Sequence, residues 1–388
     1  MRHFVVCLLM AAGQAANPQS AIRTPQSSQQ DINAKFNRAA DLQRKQMFKE
    51  AEAEYRAVLK LAPKYAEAYA NLGAVLIRQD KYQEAIQSYE TAYKLAPNLK
   101  PILLNIGIAH YRQKEFEKAV NAFERFLATS PDNAQAIQLT AFSLVELGRD
   151  EEALVYLEKA TKTTPDDPAL LYAVGLAALR LKRPMVTGAI EALAQVPGGL
   201  AASYLLRGQA ALANTQWDKA IAALEEAEKL NPNLARLQYC LGLAFTKFNR
   251  PDDARRAFEA ELRSSPKDVS TMWYLAYIDD QDGKPDDARK WLGQALAIEP
   301  SSADANALLG KVLLKQGKPA EALKPLEFAV ARDPNDGDKR FQLARVYQQL
   351  GRREDAAKQF AEYQRLKDET QEKERTLILK PPSPPDKD

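Results

Sequence analysis

Cysteine and histidine are almost missing from this chain of 388 residues, which holds 2 of each. Cys7 and His3 lie within the first fifteen residues, so loss of that segment would leave only Cys240 and His110. A single thiol forms neither an internal disulfide nor a cysteine-rich zinc site. A single imidazole leaves little for general-base or metal chemistry, which draws on histidine first. An excess of one charge is missing as well: 54 Lys and Arg stand against 51 Asp and Glu, a formal net charge of +3. Sequence-independent nucleic-acid binding needs a concentrated basic face, and this balance does not supply one. The composition therefore speaks against a metal, a cofactor, a nucleic-acid partner and imidazole- or thiol-based catalysis.

Long hydrophobic runs are absent too. The apolar start, Phe4 to Ala12, is too short to span a bilayer as a helix. Arg2 and His3 precede it and the small residues Gly13 and Ala15 follow, the layout of a secretory signal over residues 1–15. Phe4, Val5 and Val6 are too bulky for a lipid-attachment motif before Cys7. The expectation is a mature chain without an integral membrane span, periplasmic or secreted; without a cleaved signal it would be cytoplasmic. Residues 16–31, rich in Gln, Ser, Asn and Pro and without periodicity, read as a flexible polar linker. Near the other end Lys380 precedes Pro381-Pro382-Ser383-Pro384-Pro385, which favours an extended polyproline backbone. Residues 381–388 read as a disordered proline-rich tail, or as a ligand for a proline-binding domain.

What the chain does have is a period. Pro63, Pro97, Pro131 and Pro165 lie thirty-four residues apart, as do Pro232, Pro266, Pro300 and Pro334. A fixed period of that length marks stacked copies of one unit, none of which buries its apolar face alone. In one copy Tyr69, Leu72, Gly73 and Leu76 fall at helical spacing, and Ala85, Tyr89 and Ala92 mark a second helix that ends before Pro97. Gly or Ala recurs at the eighth position of ten such units, from Ala39, Gly73 and Gly107 to Gly310 and Ala344. Ala recurs at the twentieth in nine of them, from Ala51 and Ala85 to Ala356.

This pattern resembles the tetratricopeptide repeat (TPR) family, bacterial exported type, over residues 32–366. The resemblance implies an all-α fold, a right-handed superhelical α-solenoid of about ten helix-turn-helix units. Units one to four then occupy 32–167, a degenerate fifth 168–200, and units six to ten 201–366, with a polar capping-helix extension at 367–380. In the fifth, Thr187 and Gly188 replace the usual alanine region and Pro197-Gly198-Gly199 closes the unit early. That is either drift or a hinge between two runs of five. Glu261 stands where a buried alanine is usual and is expected to loosen packing onto the next unit. Pro184, Pro251, Pro285 and Pro319 fit the first position of second helices, where a missing N–H costs nothing.

In TPR solenoids the first helices line the concave face, so the resemblance places the candidate surface there. Asn37, Asn71 and Asn105 hold the sixth position of the first three units, and Arg44, Arg78 and Arg112 the thirteenth. Seven residues are about two helical turns, so each pair shares a face. An asparagine amide matches one peptide unit of an extended chain, although Asn is also common at this position in the repeat. The arginines would favour acidic side chains or a terminal carboxylate. Further along, Phe142, Tyr172, Tyr239, Trp273 and Tyr277 change the lining to aromatic, together with Leu205 and Tyr274. These are either anchoring pockets for an apolar segment or rings packed on neighbouring first helices. Lys311, Lys315 and Arg345 are expected to restore positive charge. His110 reads as a core residue and Cys240 as a small filler.

No Gly-rich phosphate loop or nucleophile–histidine arrangement lies outside the repeats, and no segment remains for a catalytic domain. The expected function is a non-enzymatic scaffold that binds an extended peptide or a protein partner on its concave face. The alternative is an accessory subunit of a cell-envelope assembly for secretion, pili or the outer membrane. An enzyme comes last.

Overall fold

The structure, a computed structural model, describes residues 26–379, with side chains from 29 to 372. The signal expected at 1–15 and the tail expected at 381–388 lie outside the described residues. The chain divides between Arg183 and Pro184 into two compact units, a division that runs through the fifth repeat. In the first unit α1 (Gln26–Arg44) pairs with α2 (Phe48–Leu61), and α3 (Ala66–Ile77) with α4 (Tyr82–Leu95). There α5 (Pro101–Arg112) pairs with α6 (Phe116–Leu127), α7 (Ala134–Glu146) with α8 (Asp150–Thr163), and α9 (Pro168–Arg180) closes the stack. In the second unit α10 (Met185–Gln195) packs on α11 (Leu200–Ala213), which pairs with α12 (Trp217–Leu230). The pairs α13 (Leu237–Lys247) with α14 (Pro251–Ser264) and α15 (Val269–Gln281) with α16 (Pro285–Ile298) follow. Last come α17 (Ala303–Lys315) with α18 (Pro319–Arg332), and α19 (Gly337–Gln349) with α20 (Arg353–Leu379). Each unit is an all-α solenoid of stacked hairpins.

The hairpins close on the small residues that the repeat pattern singles out. A Cβ placed on Gly73 would lie 2.7 Å from the Tyr89 ring, well inside contact distance. Gly107 meets Phe123 in the same way, so a large side chain of the second helix lies directly on the backbone of the first. Tyr89 and Phe123 are buried there, as are Ala85 and Ala119 one turn away. Burying one such ring contributes on the order of 2–3 kcal/mol, which explains why helices this short persist.

The turn within each repeat has one geometry. Its fifteenth residue is left-handed in all ten: Gln46, Asp80, Lys114, Gly148, Lys182, Thr215, Asn249, Gly283, Gly317 and Gly351. In the second repeat the N–H of Lys81 bonds to the Leu76 carbonyl at 3.0 Å, and that of Asp80 to Ile77 at 3.2 Å. This is a Schellman cap, which satisfies carbonyls left open at the end of the first helix. Only four of the ten positions carry glycine, and a side chain in this region costs roughly 1–2 kcal/mol.

Two boundaries differ from the sequence reading, and a third, the end of the last helix, falls where the extension over 367–380 is expected. Helix α1 begins at Gln26, inside the stretch expected as linker 16–31. No proline or glycine occurs between Pro25 and Pro63, so nothing stops a polar helix from extending that far. Pro184 caps α10 rather than occupying its first turn, whereas Pro251, Pro285 and Pro319 do begin their helices. Helix α20 runs for 27 residues, and the other second helices for 14 or fewer.

Candidate protein-binding surface

Within each unit, first helices touch one another: α1, α3, α5, α7 and α9 in succession in the first, and α11 with α13, then α15, α17 and α19, in the second. Second helices make no such contacts among the described residues, so the first helices line the inner side of each stack. Asn37 is exposed there and Asn105 half-buried. Asn71 differs, because its amide hydrogen-bonds the Tyr55 hydroxyl. That phenol is fully buried, donates to Gln43 Oε1 at 2.9 Å, and is pushed by burial up to about 12. The three asparagines are therefore not equivalent: the middle one holds the joint between the first two repeats.

The arginines remain at the surface, each with its own local partner. Arg44 approaches Asp41 at 3.4 Å, and the Arg78 guanidinium lies 5.2 Å above the Phe48 ring. Arg112 is exposed and its charge reaches the Tyr82 phenol. Stacking leaves the guanidinium edge, which carries the N–H donors, free for a carboxylate.

The aromatic residues are half-buried and pack largely on one another. Phe142 joins the core cluster of the first unit, where Tyr172 is also half-buried. Leu205 is buried and does not belong to the surface. Tyr239 meets Phe258 and Tyr274 edge-on at 5.9 and 6.0 Å, with the Arg236 guanidinium 3.8 Å above its ring. Burial pushes the Tyr239 phenol up to about 12. Trp273 stacks on Tyr277 at 5.5 Å with planes 10° apart, and its indole N–H donates to the Asp304 carbonyl at 3.2 Å.

Buried charge is the feature that sequence reading missed. Asp279 and Asp280 end α15 and are both buried. Asp279 pairs with Arg255 of α14 at 2.8 Å, while Asp280 takes Lys311 at 3.1 Å and Lys315 at 2.6 Å. Those two lysines therefore do not restore free positive charge to the surface, as expected from sequence; they neutralise a carboxylate whose side chain is 1% exposed. Lys339 sits similarly among Asp304, Asp333 and Asp336, at 2.7, 2.5 and 3.1 Å. Burial alone would lower the Lys339 pKa, but the three carboxylates carry it above the usual lysine range.

Glu261 has a specific task. Helix α13 starts from Arg236, which is left-handed at φ 66° and offers no side-chain cap. Glu261, 3% exposed on the neighbouring α14, accepts the open N–H of Tyr239 at 3.3 Å. The carboxylate replaces the missing cap from across the hairpin. Next to it, α13 and α15 are joined through the Tyr239 and Tyr274 rings rather than through close backbone contact. The signal in the sequence was the carboxylate in an alanine position; its partner could not be read there.

The remaining candidates are structural. His110 is buried and its Nδ1 lies 2.6 Å from Glu115. Cys240 is a buried free thiol that burial pushes up to about 11. An outer groove of about 380 Å³ lies over Asp279 and Trp291, with its lysines Lys284 and Lys290 paired to Asp282 at 3.4 Å and Asp287 at 2.8 Å. Among the described residues no helix is long and apolar enough to cross a membrane. Nor do the described residues hold a group of His, Cys, Asp and Glu fit for a metal ion.

Residues 37–170 match the family model described as the cytochrome c-type biogenesis protein H TPR domain. Residues 205–269, and then 280–326 and 313–372, match two tetratricopeptide repeat models. No curated protein matches the chain. Two crystal structures of MamA resemble it at 21% and 20% identity, with TM-scores of 0.38 and 0.39. They cover 42% and 48% of this chain and 96% and 100% of their own. A stack of this kind, lined by its first helices, is a protein–protein interaction scaffold. With hairpins that close on an eighth-position glycine or alanine, and repeat models matched from residue 37 to 372, the chain belongs to the tetratricopeptide repeat family.

Proposed function

We propose that the chain is a non-enzymatic scaffold that takes an extended, acidic polypeptide segment along the first helices of repeats one to three. The observation that carries this reading is the row Arg44, Arg78 and Arg112, one per repeat and all exposed. Asn37 and Asn105 lie two helical turns away on the same helices, suited to the backbone of the same segment. The test uses a fluorescent twelve-residue peptide of alternating Asp and Ser, followed by anisotropy. Changing all three arginines to alanine should weaken it by about tenfold or more, while the melting temperature stays near wild type. An unchanged dissociation constant would sink the reading. Export from the cytoplasm belongs to this proposal and rests on the signal-like residues 1–15.

A second reading makes the chain an accessory subunit in envelope assembly, tethering one folded partner. What supports it is the match of residues 37–170 to a model named for a cytochrome c-type biogenesis protein. Co-purification of one stoichiometric folded partner, instead of a mixture of peptides, would favour it.

A further inference from the structure

Two features stay outside that reading: the aromatic face of α15 and the prolines after α20. Trp273 is held in place by Tyr277 stacked on one face, Tyr274 edge-on at 5.0 Å, and the Asp304 carbonyl on its N–H. A large aromatic surface whose orientation is already fixed loses little freedom when it binds. The segment Pro381-Pro382-Ser383-Pro384-Pro385 contains two overlapping proline pairs with three-residue spacing. In a polyproline helix that spacing places both rings of a pair on one edge, the shape that aromatic-lined surfaces accept.

We propose that residues 380–385 of one copy of this chain dock on the Trp273–Tyr277 face of a second copy. Helix length argues against the same copy. Helix α20 is 27 residues long where a second helix of 14 completes a hairpin, an excess of 27 − 14 = 13 residues. At 1.5 Å per residue it carries Leu379 about 20 Å past the hairpin end. Pro381 follows only two residues later, at most about 7 Å further. Trp273 is the fifth residue of α15, back inside the stack. Leu379 thus lies beyond its own hairpin, which favours the eighth repeat of a second molecule as the acceptor. Surface and ligand are different patches, so the contact is head-to-tail and generates short chains rather than a closed dimer.

The acceptor for the test is the full-length chain with Pro381, Pro382, Pro384 and Pro385 all changed to alanine. A synthetic peptide of residues 380–388 is titrated to about 2 mM, followed by the NMR signal of the Trp273 indole N–H. A saturable shift is expected, weakened about fivefold or more when the peptide carries Pro384→Ala and Pro385→Ala. Tyr277→Ala followed by the same signal, and Trp273→Phe followed by anisotropy of a fluorescently labelled peptide, each checked for an unchanged circular dichroism spectrum, should also weaken the peptide. The unmodified chain should self-associate in sedimentation and the acceptor variant should not. No shift, an alanine peptide that binds equally well, or binding that survives both aromatic variants overturns the proposal. An unmodified chain that stays monomeric as concentration rises overturns the second-copy assignment. None of these measurements involves Arg44, Arg78 or Arg112, so this proposal and the acidic-segment reading fail separately.

Discussion

Repeats one to three and repeats seven to nine share a thirty-four-residue frame but treat charge in opposite ways. The first group keeps Arg44, Arg78 and Arg112 in solvent, with Asn37 exposed and Asn105 half-buried on the same helices. The second buries Glu261, Asp279 and Asp280, and brings Arg255, Lys311 and Lys315 to most of them from adjacent repeats. The frame needs only its small-on-large contacts, such as Gly73 on Tyr89 and Gly242 on Phe258. Everything else on a first helix is available for another purpose. In repeats one to three that purpose is a surface; in repeats seven to nine it is fastening neighbours, since a solenoid repeat has only its neighbours to hold it.

The comparison can be broken at its strongest point first. Asp280→Ala should lower stability by about 2–3 kcal/mol, because it removes a buried carboxylate that holds two ammonium groups, which are then left side by side without it. Arg44→Ala in the first repeat should change stability by about 0.5 kcal/mol or less, as its Asp41 pair is exposed. Urea denaturation of both variants checks this; equal losses would erase the distinction. Glu261→Ala should cost about 1–2 kcal/mol, and hydrogen exchange at the Tyr239 amide should quicken accordingly. A neutral or stabilising result would show that the carboxylate is not acting as a cap. Thr215→Gly should stabilise by about 1 kcal/mol, since a β-branched residue there is held left-handed. Gly148→Ala in the fourth repeat should do the reverse, and thermal melts of the pair test the turn in both units.

A separate effect appears only in alkali. The Cys240 thiol titrates near 9 when unfolded and is pushed up to about 11 by burial. The folded state therefore holds the neutral thiol more firmly, and that contribution is fully present below pH 9. It is lost as pH rises from 9 towards 11. Cys240→Ala should flatten that part of the stability curve, measured as the difference between the two chains at each pH. Identical curves would mean that the thiol is hydrated in the folded protein.

Much of the fold was legible from spacing. The eighth- and twentieth-position small residues locate the hairpins because a helix pair approaches closely only where side chains are short. The left-handed fifteenth residue was legible in only four repeats, where glycine announces it. Gln46, Lys114 and Thr215 carry no such mark, and the Schellman bonds impose the conformation on them. The candidate surface was legible by position but not by commitment. Asn71 looks like Asn37 and Asn105 in sequence, yet Tyr55 claims its amide across a repeat boundary. Lys311 and Lys315 look like surface cations until Asp280 is found beneath them.

The period and the helix pairs follow from the sequence alone, because each depends on contacts within one repeat or between identical positions of neighbours. Such contacts recur from repeat to repeat, and recurrence makes them readable. The charge pairs, the borrowed cap at Tyr239 and the fixed Trp273 each occur once. They join positions about twenty to thirty-five residues apart, and only the closing of one particular hairpin or the stacking of one particular repeat on the next brings them within hydrogen-bond distance.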